Sequence, residues 1–376
     1  MKNNPLSKTK STITSAHFWF FIILLSTFFL FFLAPEFLSS RVKNMEEGVK
    51  EVEEKKVKII LPLDTVAYDK KLNELANNPP PKIIEPKIDP KTNQPISVLP
   101  PKPNLWPVKT VYPNGGALLP FNRVVAYYGN LYSKKMGALG EYPEEDMLSR
   151  LMTEVKKWEI ADPSTPVVPA LHYIAVVAQN SAGEDGEYRA RMPYAEIDKV
   201  LKMAEKINAL VFLDIQVGFS NLETEVPLLE KYLKMPQVHL GIDSEFSMKG
   251  TIRPGKIVGT LDASDINFAT NYLAKIVREN DLSPKILVVH RYTQKMVTNY
   301  KEIKPLPEVE IVMHMDGWGG TAKKINTYQQ FIHKEPVQFT GFKLFYKNDV
   351  LDPGTTLMTP YDLLKLNPQP SYIQYQ

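Results

Sequence analysis

The fold is decided by two apolar segments that end in polar residues, Ala209-Leu-Val-Phe-Leu-Asp-Ile-Gln-Val217 and Val238-His-Leu-Gly-Ile-Asp-Ser-Glu-Phe246. Each has the length of a β-strand, and its apolar character is almost continuous, which is typical of parallel strands covered by helices. Acidic residues stand near the C-terminal end of both segments, where parallel barrels carry their functional groups. The two segments therefore predict a parallel sheet with a polar site at the strand ends.

The C-terminal two thirds of the chain alternate between strand-like and helix-like segments. The predicted strands cover 123–129, 167–179, 209–217, 238–246, 285–292, 310–316, 339–346 and 371–375, and the predicted helices cover 144–160, 193–208, 223–235, 263–280, 321–333 and 360–366. These eight strands in about 255 residues match the usual size of a closed barrel. We therefore predict an α/β fold, a (β/α)8 TIM-type barrel over 121–376 that lacks the last helix. An open doubly wound sheet is the alternative, but no Gly-x-Gly-x-x-Gly loop follows the first strand.

Residues His17 to Ala34 form an uncharged apolar run that is long enough to span a bilayer, which takes about 20 residues. Lysines precede the run, and this excess of positive charge predicts a cytoplasmic N-terminus. We predict a short cytoplasmic segment (1–16), a single-pass transmembrane signal anchor in the cell membrane (17–38) and an extracytoplasmic barrel. A cleaved signal peptide is the alternative, although the run is longer than usual for one.

Residues 39–120 separate the predicted anchor from the barrel. The part up to Lys58 is rich in Glu and Lys, which is typical of a short solvated helix. Residues 62–120 contain thirteen of the 31 prolines, and this density disfavours helices and central strands because proline lacks an amide N–H. We predict a charged and Pro-rich stalk of largely extended structure.

The composition excludes several kinds of function. The chain contains no cysteine, so disulfides, thiolate catalysis and zinc–thiolate sites are ruled out. Its 45 Lys and Arg residues against 42 Asp and Glu residues leave a net charge of +3, which gives no basis for nucleic-acid binding. The chemistry must therefore come from oxygen- and nitrogen-bearing side chains.

Polar residues gather at the predicted strand ends, and those of one parity point into the barrel mouth together. Asp243 and Glu245 share one face of the fourth strand, and we predict that both are catalytic. Glu245 is the predicted acid/base, and Asp243, with Asp214 or Asp316, is predicted to orient it or to stabilise the charged transition state. The candidate substrate-binding residues are Asp214, Gln216, Tyr127, Gln179, His290, Asp316, Trp318 and Lys343. Burying so many charges costs several kcal/mol per ion unless they are paired or solvated, which favours a site at the mouth. We expect no metal ion and no other cofactor.

Two carboxylates on one inward face suit glycoside hydrolysis, in which one group acts as acid and the other as nucleophile, base or orienting group. Together with the anchor, this predicts a glycan of the cell envelope or a cell-wall polymer as the substrate. Three alternatives stay open. Two are a barrel that binds a saccharide or peptide without turnover and an envelope scaffold. The third is a metal-dependent hydrolase that uses Asp214, Asp243, His290, His314 and Asp316 as ligands.

Eight short stretches carry a resemblance to known proteins: Ala126–Gly129, Met136–Glu141, Ile174–Gln179, Asp185–Tyr188, Leu213–Gln216, Val288–His290, His314–Gly317 and Gly341–Tyr346. In these stretches the barrel part resembles a group of uncharacterised extracytoplasmic TIM-barrel proteins of Gram-positive bacteria, especially actinobacteria. More distantly, the Asp-x-Glu of the fourth strand is similar to that of chitinase-like and lysozyme-like glycoside hydrolase barrels. Leu240-Gly241 stand where those barrels carry another acid, and the seventh strand has Lys343 where retaining barrels place a nucleophile.

Overall fold

The computed structural model describes residues 61–80 and 103–376. The predicted N-terminal segment (1–16), the anchor (17–38) and residues 39–60 and 81–102 of the predicted stalk lie outside the described residues. A search of the described helices finds none that combines the length and the apolar character needed to span a bilayer.

Eight parallel strands close into a barrel. They are β1 (Arg123–Gly129), β2 (Val167–Ala178), β3 (Leu210–Ile215), β4 (Val238–Asp243), β5 (Lys285–Arg291), β6 (Val309–Met315), β7 (Phe339–Leu344) and β8 (Tyr372–Tyr375). Each strand pairs in parallel with the next, and β8 pairs with β1, so the ring has no gap. The short strand Arg189–Arg191 pairs antiparallel with the end of β2, and Leu261–Asp262 pairs with Val297–Thr298 in a separate two-stranded sheet. The predicted eight-stranded parallel barrel is confirmed, and an open sheet is excluded because β1 has a neighbour on both sides.

Helices surround the barrel. They are α1 (Thr65–Ala76), α2 (Ala138–Glu141), α3 (Glu144–Ala161), α4 (Tyr194–Glu205), α5 (Leu222–Glu225), α6 (Glu230–Leu233), α7 (Ala263–Glu279), α8 (Thr321–Tyr328) and α9 (Pro360–Leu363). The two longest, α3 and α7, each bury an apolar stripe in the core between the helices and the strands. A reciprocal capping box of Asp262 and Asp265 fixes the start of α7.

The prediction of one helix over 223–235 is wrong in detail. Two short helices, α5 and α6, stand there, and a 3-10 turn at Pro227–Leu229 separates them. Proline at this position has no N–H to donate to the preceding turn, which explains why a continuous α-helix is interrupted.

The described part of the predicted stalk differs from the expectation of extended structure, because it contains α1. The prolines of this region stand before and after 65–76 but not within it, so the argument from proline density fails there. The Asp64 carboxylate caps the helix by accepting the N–H groups of Val66 and Ala67, both at 3.0 Å. Tyr68 of α1 belongs to the apolar cluster that fills the lower end of the barrel. Residues 61–80 are therefore part of the barrel's core packing.

Candidate functional site

Side chains that point into the barrel change from apolar to polar along its axis. Its lower part is filled by a cluster that includes Val124, Ala126, Ala170, Phe212, Ile286, Val288, Val312, Phe339 and Tyr372. Two residues further along the same strands stand Tyr128, His172, Asp214, His290 and His314, all buried. Because every second side chain faces inward, each strand carries its polar group directly above an apolar one. The polar layer thus rests on a rigid apolar base.

A chain of charged groups crosses this polar layer. The Asp214 Oδ1 atom lies 3.4 Å from His290 Nε2, and the other nitrogen of the same ring, Nδ1, lies 2.8 Å from Asp316 Oδ2. The second oxygen of Asp316 lies 2.9 Å from Lys343 Nζ, which also sits 3.8 Å from the centre of the Tyr128 ring. These four residues come from four different strands or loops. All of them are predicted from the sequence to lie at the barrel mouth, and the structure brings them into contact.

Tyr128 and His172 complete this network. The Tyr128 hydroxyl donates to Asp214 Oδ2 at 3.0 Å and accepts from Gln216 Nε2 at 3.3 Å. His172 Nε2 lies 3.3 Å from Asp214 Oδ1, while its Nδ1 is hydrogen-bonded to the Tyr372 hydroxyl at 2.6 Å. Asp214 is thus in contact with two histidines and one tyrosine and is fully buried.

A cleft of about 600 Å³ opens above the network, at the C-terminal ends of the strands. Its lining includes Tyr128, Gln216, Asp243, Glu245, Asp316, Trp318 and Lys343. This volume falls within the range of about 300–1,000 Å³ that is usual for small-molecule sites. Three carboxyl groups and a half-exposed tryptophan therefore share one solvent-accessible space.

The backbone leaves strand geometry between Asp243 and Glu245. Strand β4 ends at Asp243, and Ser244–Phe246 form a 3-10 turn. Asp243 Oδ1 accepts the backbone N–H of Glu245 at 3.0 Å, and its Oδ2 accepts Gln216 Nε2 at 3.1 Å. The sequence pattern implies that strand alternation directs Glu245 into the cleft. The structure instead places Glu245 there through the 3-10 turn, which is held by the Asp243 carboxylate.

The acids of the deeper network are held in their charged form. Burial alone would raise the pKa of Asp214, but His290 and His172 outweigh burial and keep that pKa well below its usual value. Burial is likewise overcome at Asp316, whose pKa is kept low by Lys343 and His290. Burial lowers the pKa of His290, but the charges of Asp214 and Asp316 prevail and raise it to about 10.

The pKa values of Asp243, at the end of β4, and of Glu245, in the following turn, shift in the opposite direction. Burial, together with the charges of Asp214 and Glu245, raises the pKa of Asp243 to about 8, although His290 opposes the rise. Burial and the charge of Asp316 also raise the pKa of Glu245, against a smaller effect of the Tyr292 hydroxyl. The cleft therefore contains carboxyl groups of two kinds: the pKa of Asp316 in its floor is lowered, whereas the pKa values of Asp243 and Glu245 at its side are raised.

Two of the predicted binding residues lie away from the cleft. Tyr127 points outward into the core between strands and helices, where its hydroxyl is 3.0 Å from that of Tyr346. Strand alternation explains this, because Tyr128 and not Tyr127 has the inward parity of Val124 and Ala126. Gln179 follows the end of β2 and its Nε2 contacts the Arg189 carbonyl at 3.5 Å, within the antiparallel hairpin.

The remaining predicted residues divide between the cleft and its floor. Trp318 lines the cleft with half of its surface exposed, and Lys323 Nζ lies 4.5 Å from the centre of its ring. His314 is buried beside His290, with 5.1 Å between the ring centres, and neither of its nitrogens has a hydrogen-bond partner among the described residues. Asp214 and His290 lie below the cleft rather than in its wall.

His172 belongs to the candidate site, and it is not among the residues predicted from the sequence. It stands inside the apolar run of β2, at the parity of Ala170, and a polar side chain amid inward-facing apolar positions is the signal that marks it. Together with Asp214 and His290 it forms a buried group in which one donor atom from each residue lies within 4.8 Å of the other two. Among the described residues, this is the group whose donor atoms lie close enough together to hold one metal ion.

Several solved glycoside hydrolases are distantly similar to this chain. An endoglucanase of the GH5-4 group from an uncultured bovine rumen ciliate is 10% identical over 62% of this chain and 76% of its own, with a TM-score of 0.33. A Bacillus subtilis mannanase is 12% identical over 68% of this chain and 79% of its own, with a TM-score of 0.35. A mutant form of Thermotoga maritima Cel5A in complex with cellobiose is 11% identical over 68% and 88%, with a TM-score of 0.32.

No protein-family model and no curated protein matches this chain. The similarities to solved structures are too weak to carry an argument about function, and the fold rests on the strand pairings described above. Function must therefore be argued from the site itself.

Proposed function

We propose that this protein is a glycoside hydrolase-like enzyme that acts on a glycan of the cell envelope. The observation that carries the proposal is that Asp243 and Glu245 share the cleft with the half-exposed Trp318. Carboxyl groups on both sides of a sugar ring provide acid catalysis and stabilise the oxocarbenium-like transition state. An exposed aromatic ring provides an apolar face for a sugar ring.

Glu245 is the proposed acid/base. Its side chain is only partly buried, so it can reach substrate. Among the described residues, Glu245 forms no ion pair with Lys343 or His290, whereas Asp316 is paired with both. Asp243 is a positioning residue, because it holds the turn that carries Glu245 through the hydrogen bond from the Glu245 N–H. Asp316 keeps a negative charge at the floor of the cleft, where it stabilises developing positive charge on the sugar.

The location at the membrane is a second part of the proposal, and it rests on the apolar run from His17 to Ala34 within the predicted anchor (17–38). A single-pass anchor with a cytoplasmic N-terminus would hold the barrel outside the cell, next to envelope polymers. The test is protease treatment of intact cells that express the full chain. Loss of the barrel from intact cells supports the proposal, whereas a barrel that is cleaved only after lysis contradicts it.

The hydrolase proposal is tested with the purified full chain incubated with peptidoglycan and with common envelope polysaccharides. We expect new reducing ends, and we expect Glu245→Gln to slow their formation by at least about 100-fold, the usual contribution of general acid–base catalysis. The control is Glu223→Gln, which alters an exposed glutamate outside the cleft and should turn over like the wild type. Equal turnover in wild type and Glu245→Gln would reject the proposed role.

Binding without turnover is the second candidate function. It is favoured by the ion pairs of Asp316 with Lys343 and His290, which leave that acid less free to act as a nucleophile. In the same experiment, a glycan that is retained without new reducing ends would assign the protein to this class. The acids at the cleft would then serve as hydrogen-bond acceptors for sugar hydroxyl groups.

A further inference from the structure

We propose that His172, Asp214 and His290 form a binding site for one divalent transition-metal ion inside the barrel, directly below the floor of the cleft. The three residues come from neighbouring strands β2 and β3 and from β5. The proposal does not rest on glycan hydrolysis, because metal content is measured without any substrate.

The first argument is the arrangement of the three inner atoms. His172 Nε2 lies 3.3 Å and His290 Nε2 lies 3.4 Å from the same oxygen, Asp214 Oδ1. All three atoms are fully buried and none has a hydrogen-bond partner among the described residues. Ligands at about 2.0–2.1 Å from a tetrahedral zinc ion are about 3.3–3.4 Å apart, which matches the two separations from Asp214 Oδ1.

The second argument is that the other polar atom of each of these three side chains, its outer atom, makes a hydrogen bond. His172 Nδ1 bonds the Tyr372 hydroxyl at 2.6 Å, and His290 Nδ1 bonds Asp316 Oδ2 at 2.8 Å. Asp214 Oδ2 accepts from the Tyr128 hydroxyl at 3.0 Å. Metal-binding histidines almost always donate their second nitrogen to a carboxylate or another acceptor, which fixes the ring for the metal. The contacts to Asp214 Oδ1 are about half an ångström longer than ordinary charge-assisted hydrogen bonds.

The third argument is the space at Gly241. A Cβ atom added at this position would lie 2.4 Å from Asp214 Oδ1 and 2.5 Å from His172 Nε2. Any other residue would therefore place carbon against two of the three donor atoms. Glycine at 241 therefore leaves space beside Asp214 Oδ1 and His172 Nε2, two of the donor atoms that have no hydrogen-bond partner among the described residues.

The donor set defines the chemical class of the ion. Two imidazole nitrogens and one carboxylate oxygen suit zinc and its first-row neighbours, whereas magnesium and calcium prefer oxygen alone. Two of the outer partners, Tyr128 and Asp316, line the cleft above. A bound ion would therefore fix the position and charge of the cleft floor. The competing occupant is a proton, because a doubly protonated His290 also pairs with both carboxylates.

The experiment uses the purified full chain, stripped of metal with a chelator and then equilibrated with Zn²⁺ or, separately, with Co²⁺. We expect about one ion per chain to remain after gel filtration, a rise in Tm with Zn²⁺, and a visible absorption band of tetrahedral Co²⁺. Stripped wild type that retains neither ion and shows no change in Tm would overturn the proposal and leave the proton as the occupant.

Substitutions of the three proposed ligands test whether these residues bind the ion. His172→Gln, Asp214→Asn and His290→Gln should each weaken Zn²⁺ binding by more than about 100-fold, and Asp316→Asn, which alters an outer partner, by about 10–100-fold. The matched control is His239→Gln, which alters another buried histidine of the barrel interior whose Nδ1 accepts the Ile286 N–H at 2.9 Å. Unchanged Zn²⁺ affinity in all three ligand variants would place the ion elsewhere and reject the site. Wild-type titration decides the question even where a variant does not fold.

Discussion

At the scale of single residues, Tyr127 and Tyr128 show how one position along a strand changes the environment of a side chain. Tyr127 contacts Tyr346 in the core outside the barrel, whereas Tyr128 bonds Asp214 and Gln216 inside it. A shift of one residue reverses the face of a strand, so parity decides which tyrosine lines the cleft. Tyr127 is the one predicted from the sequence, but which face of β1 points into the barrel is known only when the barrel closes.

The two tyrosines also differ in what their hydroxyl groups support. Tyr128→Phe should lower the free energy of unfolding by about 1–3 kcal/mol, because it leaves Asp214 Oδ2 and Gln216 Nε2 short of a buried partner. Tyr127→Phe should cost less, about 0.5–1.5 kcal/mol, because Tyr346 keeps its hydrogen bond to Glu154. Urea unfolding of both variants measures the difference. A larger loss in Tyr127→Phe would contradict the described network.

At the scale of secondary-structure elements, α1 closes the lower end of the barrel. Tyr68 is 2% exposed within the cluster that fills this end, and the Leu75 carbonyl accepts the N–H of Gln369 at 2.8 Å. Neither contact can be read from the local sequence, because both partners lie far along the chain. A helix in a Pro-rich region forms here because its buried face has a surface to pack against.

Leu75→Ala tests the packing of α1. Leu75 is 6% exposed, so the substitution should lower the free energy of unfolding by about 2–5 kcal/mol through lost burial and a residual cavity. Val66→Ala on the same helix is the control, since Val66 is 79% exposed and its truncation should change stability by no more than about 0.5 kcal/mol. Chemical denaturation gives both values, and equal small effects would show that α1 does not contribute to the core.

At the scale of the whole molecule, the barrel has a buried acid at the end opposite to the cleft. Glu310 is fully buried on β6 and accepts the N–H groups of Leu119 at 2.7 Å and Leu118 at 3.1 Å. Burial raises its pKa from the ordinary 4.5 to about 8, although these two N–H groups oppose the rise. Burial and, to a smaller extent, the charge of Glu310 raise the pKa of Tyr68 on the neighbouring helix α1.

The raised pKa of Glu310 predicts a pH dependence of stability. Between about pH 4.5 and pH 8 the folded chain retains a proton that the unfolded chain has lost, so the free energy of unfolding falls as the pH rises through this window. Glu310→Gln keeps a hydrogen-bond acceptor and should remove this decline. The comparison between wild type and variant cancels the opposite effect of buried Lys285, whose pKa is lowered to about 7 by burial. Urea titrations across the window measure the slope, and parallel curves for the two proteins would contradict the prediction.

The amino-acid sequence determined the number and order of the barrel strands, because nearly continuous apolar runs separated by amphipathic segments have few other ways to be buried. It also marked Asp214, Asp243, Glu245, His290, Asp316 and Lys343 as candidate site residues, since acidic and basic residues at strand ends are conspicuous against apolar neighbours.

Only the tertiary structure decided how these groups pair. His172 and Asp214 lie 42 positions apart and His290 lies 76 positions beyond Asp214, and their contacts exist because β2, β3 and β5 belong to one closed ring. The turn that brings Glu245 to the cleft, and the space left by Gly241, likewise depend on neighbours that are remote in the chain. Local patterns determine which elements form, whereas the distances that set charge and reactivity arise only when distant strands are packed together.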